Sequence, residues 1–156
     1  MRILASLGLV AAIVCGTAVS ANADEALEGK IKARQGYYQL VLSNAGPLFG
    51  MAKGDVEYDA AAASTAASNL KILSTLDTGS LWVAGTSKEE MPGKTRALKK
   101  IWDTYPAIGE KLEAFNNAVD AMAANAGSGL DGLRANIGAL GAACKGCHDE
   151  FRADVF

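Results

Sequence analysis

The chain has 156 residues and a net charge of −2, from 15 basic and 17 acidic side chains. This length suits one domain with one core. A mildly acidic chain without a block of basic residues argues against nucleic acid as a partner. Alanine is abundant, and valine and isoleucine are sparse after the first twenty positions, which favours helices over sheet.

Residues 1–23 have the pattern of a secretory signal peptide. Arg2 provides a positive charge before a mostly apolar run, and Ala21-Asn22-Ala23 is a small-x-small cleavage site. The apolar run is short for a membrane span, and charged residues follow it directly. Cys15 lies within this run, where we interpret it as one more apolar residue. We therefore predict export, to the periplasm in a bacterium, and one mature domain over residues 24–156 without a membrane anchor.

A first amphipathic helix is predicted from Leu27 to the sequence Lys53-Gly54-Asp55, which ends it. Apolar positions recur at alternating steps of three and four, the spacing of one buried helix face. Gly46-Pro47 interrupts this pattern, so we expect a kink there. The predicted inner face consists of Leu27, Ile31, Arg34, Tyr38, Val41, Ala45 and Leu48.

The second helix is predicted over Ala60–Leu76. Asp59 or a neighbour can cap its start. Asp77-Thr78-Gly79-Ser80 has turn chemistry, and residues 81–93 form the longest irregular stretch of the chain. Trp82 in this stretch is expected to cap the core. The predicted inner face of the helix consists of Ala63, Ala66, Leu70, Leu73 and Leu76.

A third apolar stripe runs from Leu98 to Met122 and includes Tyr105. The three-four alternation persists over its whole length, which is a strong helix signal. Pro106 lies inside the stripe and should bend the helix or divide it in two. Residues 125–129 are small and flexible and close it.

The fourth stripe extends from Leu130 to Phe151. It places Cys144 and Cys147 on the apolar face of this helix, in register with its leucines, so a group attached to them would lie inside the protein. Four helices with short connections predict an all-α fold. We expect an antiparallel up-down-up-down four-helix bundle, with a cofactor in the core near the C-terminal helix.

The strongest motif is Cys144-Lys145-Gly146-Cys147-His148. Two cysteines separated by two residues and followed by histidine are the attachment site of a c-type haem. Each thiol adds across one vinyl group of the porphyrin, so the sulfurs must lie about one helical turn apart. The histidine then lies beneath the ring, where its imidazole can bind the iron. His148 is the only histidine in the chain, so no second histidine can bind the opposite face.

Three other interpretations of this cysteine pair stay open. A thioredoxin-like redox pair belongs near the start of a helix in a βαβ unit, whereas this pair lies late in the chain with no strand pattern before it. A structural zinc site needs four ligands, and Cys144, Cys147 and His148 supply three. A plain disulfide or a chance match is the third interpretation.

These residues resemble the class II c-type cytochromes, and among them the cytochromes c′, for which the four-helix bundle is a standard architecture. The resemblance covers essentially all of residues 24–156. Its marks are the haem motif at the end of the last helix, Arg34-Gln35 and Lys53-Gly54 in the first helix, and Ile101-Trp102 in the third.

The resemblance implies one haem c, bound covalently through two thioethers from Cys144 and Cys147. It implies His148 as the proximal ligand of the iron. Arg152 follows His148 by four residues, and the resemblance implies that it lies beside the histidine and tunes it. An ordinary solvated arginine near the end of the helix is the alternative.

On the distal side the resemblance implies Tyr38, at the position where six-coordinate relatives carry a methionine ligand. Methionine is absent between Leu27 and Gly50, so five-coordinate, high-spin iron is expected. The phenol can pack over the iron, donate a hydrogen bond to a bound gas or water, or bind the iron directly, although a free phenol titrates near pH ~10. Arg34 is implied to pair with a haem propionate, with a structural salt bridge as the alternative, and Gln35 is assigned to the same cofactor site.

The expected function is the binding of small diatomic gases, nitric oxide and carbon monoxide, by a periplasmic haem protein. Electron transfer to a redox protein is a second expectation. No acid–base constellation is recognisable in the sequence, so no enzymatic activity is predicted. The alternatives are a six-coordinate, low-spin electron carrier and a four-helix protein without haem. The resemblance also implies a homodimer joined through the first two helices.

Overall fold

The structure is a computed structural model that describes residues 17–156, and their side chains from residue 23 onward. Its helices are α1 (Thr17–Lys53), α2 (Ala60–Ser74), α3 (Lys100–Asp103), α4 (Tyr105–Asn125) and α5 (Leu130–Phe151). Residues 17–156 contain no β-strand, only one isolated bridge. α1 packs on α2, α2 on α4, α4 on α5, and α5 packs back on α1. This ring of sequential neighbours is an up-down-up-down bundle, which confirms the predicted all-α fold.

α1 begins at Thr17 and therefore runs through the predicted cleavage site after Ala23. Most of the predicted signal peptide, residues 1–16 with Cys15 among them, lies outside the described part of the chain. Within residues 17–156, no helix is long and apolar enough to cross a membrane.

α1 continues through Gly46 and Pro47 without ending there, and the kink expected at this point stays a prediction. A proline inside a helix removes one backbone hydrogen bond, and the complete burial of Leu48 stabilises the helix at this point. Gly54 then ends the helix as predicted. Its φ of 86° is a left-handed value that glycine adopts readily, and its amide donates to the Gly50 carbonyl at 3.0 Å.

α2 begins where predicted, because the Asp59 carboxylate accepts a hydrogen bond from the Ala62 amide at 2.8 Å. It ends at Ser74, before the predicted end at Leu76. Leu76 is 53% exposed, so its assignment to the inner face was wrong. The hydroxyls of Ser74 and Thr75 donate to backbone carbonyls one turn earlier, and such bonds compete with continuation of the helix.

Pro106 divides the third predicted helix in two. α3 ends at Asp103, and α4 starts at Tyr105 with Pro106 in its first turn, where a missing N–H costs nothing. Tyr105 is 65% exposed, so its assignment to the core was wrong. The break between the two helices turns Tyr105 away from the face on which Ile101 and Ile108 are buried.

The buried apolar side chains form two groups. The larger group fills the end of the bundle where α1 and α4 finish, and we call this the apolar end. The smaller group lies where α5 finishes, and we call this the motif end. The α2–α3 connection, residues 75–99, crosses the motif end. The apolar end consists of Val41, Ala45, Leu48, Met51, Ala63, Ala66, Ala67, Leu70, Ala118, Val119, Met122, Ala126, Leu133 and Leu140, and the motif end has Ile101, Ile108 and Phe151.

Tyr58 joins the two turns at the apolar end. It lies between α1 and α2, and its hydroxyl donates to the Ala126 carbonyl at 2.8 Å. The same oxygen accepts from the Gly129 amide at 2.9 Å. Gly129 precedes α5 and offers no side-chain cap, so Tyr58 holds the start of α5 from across the bundle.

Candidate functional site

The cysteine–histidine motif lies in the last two turns of α5, at the motif end. Leu133, Leu140 and Phe151 are the buried residues of this helix. Cys144 and Cys147 are half-buried, and both are free thiols. Cys147 packs against the small apolar group of the motif end. The cysteines therefore lie on the inner side of α5, where an attached group would enter the bundle.

The environment of the thiols favours neither a redox pair nor a zinc site. Burial raises the pKa of both the Cys144 and the Cys147 thiol. A redox-active thiol of the thioredoxin type needs the opposite shift, toward a stable thiolate. In the part of the chain that the structure describes, no three side chains of His, Cys, Asp or Glu are grouped so that they could hold a metal ion.

His148 is exposed and lies close to Arg152. Arg152 Nη1 is 3.1 Å from Nδ1 of His148 and 3.2 Å from its Nε2. Partial desolvation of the ring lowers the pKa of His148, and the charges of Arg152 and Arg96 lower it further, against the opposing effect of Asp149. The lowered pKa favours the neutral imidazole, which is the form that binds metals.

Arg34 of α1 is buried beneath the α2–α3 connection, with 4% of its surface exposed. Its Nη1 donates to the Leu81 carbonyl and to the Thr86 hydroxyl, both at 3.1 Å. Its Nη2 donates to the Thr86 carbonyl at 3.1 Å and to the Thr95 hydroxyl at 3.2 Å. Gln35, beside it, is exposed and donates to a carbonyl of the same connection at 2.9 Å. Both residues thus fix the connection to α1.

The charge of Arg34 is not neutralised by an acidic side chain among the described residues. All four of its acceptors are neutral oxygens, so the structural salt bridge considered from the sequence is not formed there. Burial lowers the pKa of Arg34. A buried cation without a counter-ion is costly, so this end of the bundle suits an anionic group.

Aromatic rings surround Arg34. Its guanidinium carbon lies 4.7 Å from the ring centre of Trp82 and 5.8 Å from that of Trp102. The ring of Trp82 also meets that of Tyr38 edge to face, with 6.3 Å between centres. Trp82 was predicted only to cap the core, and its place beside Arg34 was not predicted. An irregular stretch has no periodicity from which its buried face could be inferred.

Tyr38 lies on α1 and faces the two cysteines. Burial raises the pKa of Tyr38, and the nearby Cys147 and Cys144 raise it further. The phenol is therefore protonated at neutral pH, which opposes its binding to iron as a phenolate. Tyr37 points to α2, where its hydroxyl donates to the Leu73 carbonyl at 3.2 Å.

Comparison with known proteins assigns the chain to a family. The family profile described as Cytochrome C′ matches residues 29–152. The chain belongs to the cytochrome c′ family. Cytochrome c′ of Cereibacter sphaeroides is 41% identical over 144 residues, which cover 92% of this chain and 95% of the relative.

Solved structures of cytochromes c′ have the same fold. Cytochrome c′ from Rhodobacter Spheriodes superposes with a TM-score of 0.80 and 42% identity, and the match covers 82% of this chain and 98% of that one. A nitric oxide complex of a variant of cytochrome c prime from Alcaligenes xylosoxidans superposes with a TM-score of 0.70 and 32% identity, and the match covers 82% of this chain and 97% of that one.

Cytochromes c′ bind haem c, and the motif end fits this group. Two free thiols, three positions apart, lie on the inner side of α5. The imidazole of His148, whose pKa is lowered, follows the second thiol. Arg34 is a buried cation with neutral partners, and the haem carries carboxylates that can neutralise it. The family carries haem and binds gases, and it is not a family of conventional enzymes.

Proposed function

We propose that Cys144 and Cys147 bind one haem c through two thioether bonds, and that His148 is the proximal ligand of its iron. One arrangement carries this proposal. Two half-buried thiols on α5 face the protonated phenol of Tyr38 on α1, and the imidazole of His148 follows the second thiol. The group that the thiols hold would therefore lie between these two helices.

Arg34 is the proposed partner of a haem propionate. Its charge is buried among neutral acceptors, and a carboxylate would supply the missing counter-charge. Gln35 lies exposed at the rim of the same site, and we propose that it contacts the cofactor from there. Arg152 is proposed to tune His148 through its contact with both ring nitrogens.

The distal face is proposed to lack a strong protein ligand. The haem supplies an iron atom that binds a diatomic gas or exchanges an electron. Tyr38 is protonated, and Met51 and Met122 are buried in the apolar end. We therefore propose five-coordinate, high-spin iron that binds nitric oxide and carbon monoxide, with electron transfer to a redox protein as a second role. The nitric oxide complex of the Alcaligenes protein supports this choice of ligand.

Residues 1–23 are proposed to be removed during export to the periplasm. The mature α1 would then begin at Asp24. Residues 24–26 are exposed, so the new terminus itself would not be buried. The intact mass of the purified protein tests this proposal, and a mass that includes residues 1–23 contradicts it.

A homodimer joined through α1 and α2 is proposed from the outer surface of these helices. Leu40 is 55% exposed and Ile72 is 62% exposed. The Asn69 amide donates to Asn44 at 2.9 Å, one helical turn from each of these apolar residues, so the two side chains border one surface. Burying them against a second copy would remove apolar area from water. Sedimentation of the purified protein measures the oligomeric state.

The first experiment is absorption and electron paramagnetic resonance spectroscopy of the ferric and ferrous protein, with and without nitric oxide. A high-spin spectrum that changes when nitric oxide is added is the expected result. A low-spin spectrum in both oxidation states that does not change when nitric oxide is added would contradict the proposal. It would indicate a six-coordinate electron carrier instead.

Tyr38→Phe tests the role of the distal hydroxyl. In the described part of the chain this hydroxyl has no hydrogen-bond partner, so it is free to donate to a bound ligand. We expect the variant to keep the high-spin spectrum and to bind gas with a changed rate of release. Tyr37→Phe is the matched control, because its hydroxyl bonds to α2. Equal release rates in wild type and Tyr38→Phe would assign Tyr38 to packing alone.

A further inference from the structure

The α2–α3 connection contains three buried polar side chains. Thr86 and Ser87 are completely buried, and Thr95 is 3% exposed. Polar groups are buried at low cost only when they have hydrogen-bond partners. Thr86 and Thr95 accept from Arg34 of α1, and Ser87 donates to the Glu90 carboxylate at 2.7 Å. The connection is therefore fixed to α1 by directional contacts.

The far side of the connection pairs with the residues that follow α5. Ala97 and Arg152 form an isolated antiparallel bridge. The Ala153 amide donates to the Arg96 carbonyl at 2.8 Å, and Arg96 Nε donates to the Ala153 carbonyl at 2.6 Å. The backbone on both sides of Arg152 is therefore held by the connection.

Thr95 joins these two sets of contacts. Its hydroxyl oxygen accepts from Arg34 Nη2 at 3.2 Å and from the Ala97 amide at 3.1 Å. Ala97 is the residue that pairs with Arg152, whose Nη1 lies 3.1 Å from Nδ1 of His148. A continuous series of contacts thus runs from α1 to the end of α5 through one hydroxyl.

We propose that Thr95 is a positioning residue that couples Arg34, on the distal side of the haem site, to Arg152 and His148 on the proximal side. The roles of these partners rest on the proposed function, whereas the coupling itself needs no cofactor. Loss of the hydroxyl leaves a buried N–H of Arg34 and the partly buried amide of Ala97 without this acceptor. A disturbance at either helix is thereby transmitted to the other.

Amide hydrogen exchange on the full mature chain measures this coupling. Thr95→Val keeps the shape of the side chain and removes the acceptor, and we expect the Ala153 amide to exchange about tenfold faster. Thr95→Ser keeps the oxygen and should stay within about twofold of wild type. Thr65→Val, at an exposed position of α2, is the control for the change of residue type. Unchanged exchange at Ala153 in Thr95→Val overturns the proposal.

A double-mutant cycle with Arg34→Met separates coupling from local loosening. If Thr95 acts through Arg34, Thr95→Val accelerates Ala153 exchange by less than about twofold in the Arg34→Met background. If the fold-change in Ala153 exchange in the double variant equals the product of those in the two single variants, the two residues act independently. That result would refute the coupling.

Arg34→Lys is a second test of the coupling if Thr95→Val does not fold. Lysine retains the charge and loses the fork of donors that reaches both Thr86 and Thr95. We expect Ala153 to exchange at least about threefold faster in this variant, and wild-type exchange would again speak against the coupling. Haem staining of the same samples on a denaturing gel tests the proposed cofactor separately. Protein that does not stain would contradict covalent haem attachment. The exchange rate of Ala153 would still decide whether Thr95 couples α1 to α5.

Discussion

The two ends of the bundle are built from different kinds of contact. At the apolar end, four helices bury a continuous set of aliphatic side chains, and Leu48, Leu133 and Leu140 are completely inaccessible. At the motif end, a buried guanidinium bonds to neutral oxygens of an irregular connection, beside half-buried thiols and aromatic rings. The apolar end is therefore packed by the chain's own side chains, whereas the motif end is proposed to be completed by the haem between α1 and α5.

The difference also determines how the stability of each end responds to the loss of one side chain. Apolar burial is non-directional, and each leucine contributes about 2 kcal/mol, so the loss of one side chain leaves the others in place. At the motif end, Arg34 serves four acceptors at once. Its removal leaves several buried oxygens without a donor, and each of these costs about 1–3 kcal/mol.

The largest effect is expected from removing both thiols. The double variant Cys144→Ser and Cys147→Ser should lose all covalent haem, because thioethers need sulfur. Its apolar end should stay helical, since none of the core leucines is changed. Haem staining on a denaturing gel and far-ultraviolet circular dichroism measure the two parts of this prediction. Ala143→Ser, at the neighbouring position of α5, is the control. Loss of helix in the double variant would mean that the apolar end also depends on the cofactor.

The apolar end is tested by Leu133→Ala. Leu133 is completely buried, and truncating such a leucine should lower the free energy of unfolding by about 2–5 kcal/mol. The haem spectrum should not change, because Leu133 lies far from the motif. Leu76→Ala, at a residue that is 53% exposed, should cost about 0.5 kcal/mol or less. Denaturant titration measures both values. A spectral change in Leu133→Ala would show that the two ends are coupled.

A smaller effect is expected at the start of α2. Asp59→Ala removes the carboxylate that accepts from the Ala62 amide, and loss of such a cap costs about 1 kcal/mol. Asp55→Ala, an exposed residue in the same turn, is the matched control. Thermal unfolding of the two variants gives the comparison. Equal stability would indicate that packing alone fixes this end of α2.

The smallest effect concerns acid stability at the motif end. Hydrogen bonds from Lys100 and Lys111 hold the pKa of Glu150 below its usual value of 4.5. A carboxyl group with a lowered pKa stabilises the folded protein above about pH 4.5, and this contribution is lost as the pH falls. In Glu150→Gln, the free energy of unfolding should therefore fall less between neutral and acid pH than in the wild type. The midpoint of thermal unfolding from neutral to acid pH measures it, with Glu113→Gln as control. An unchanged acid limb would show that solvent screens the pair completely.

The end of α1, the start of α2 and the break before α4 were predictable because their signals are local. Asp59, Gly54 and Pro106 each act within one turn of their own position. The two errors came from extending a periodic pattern past the end of a helix. Leu76 follows the last turn of α2, and Tyr105 lies at the break before α4, so neither keeps the direction that a continuous helix would give it.

The candidate site was predictable only in its contiguous parts. The cysteine–histidine motif can be read from five neighbouring residues, and Arg34 and Tyr38 follow from the stripe of one helix together with the resemblance to cytochromes c′. The partners of Arg34 could not be predicted. Thr86 and Thr95 lie 52 and 61 positions away, in a connection without periodicity, and Trp82 shares this connection. Only the packed chain brings them together.

The hydroxyl of Tyr58 has a consequence for the order of folding. Tyr58 is 71 positions from Gly129, whose amide it accepts. Closing so long a loop costs chain entropy before the contact returns any energy. We therefore expect the Tyr58 contact to form late, after α1 and α2 have met the α4–α5 turn. Until this contact forms, the helix that carries the cysteines lacks the hydroxyl that holds its first turn, and we expect its motif to stay accessible during that interval.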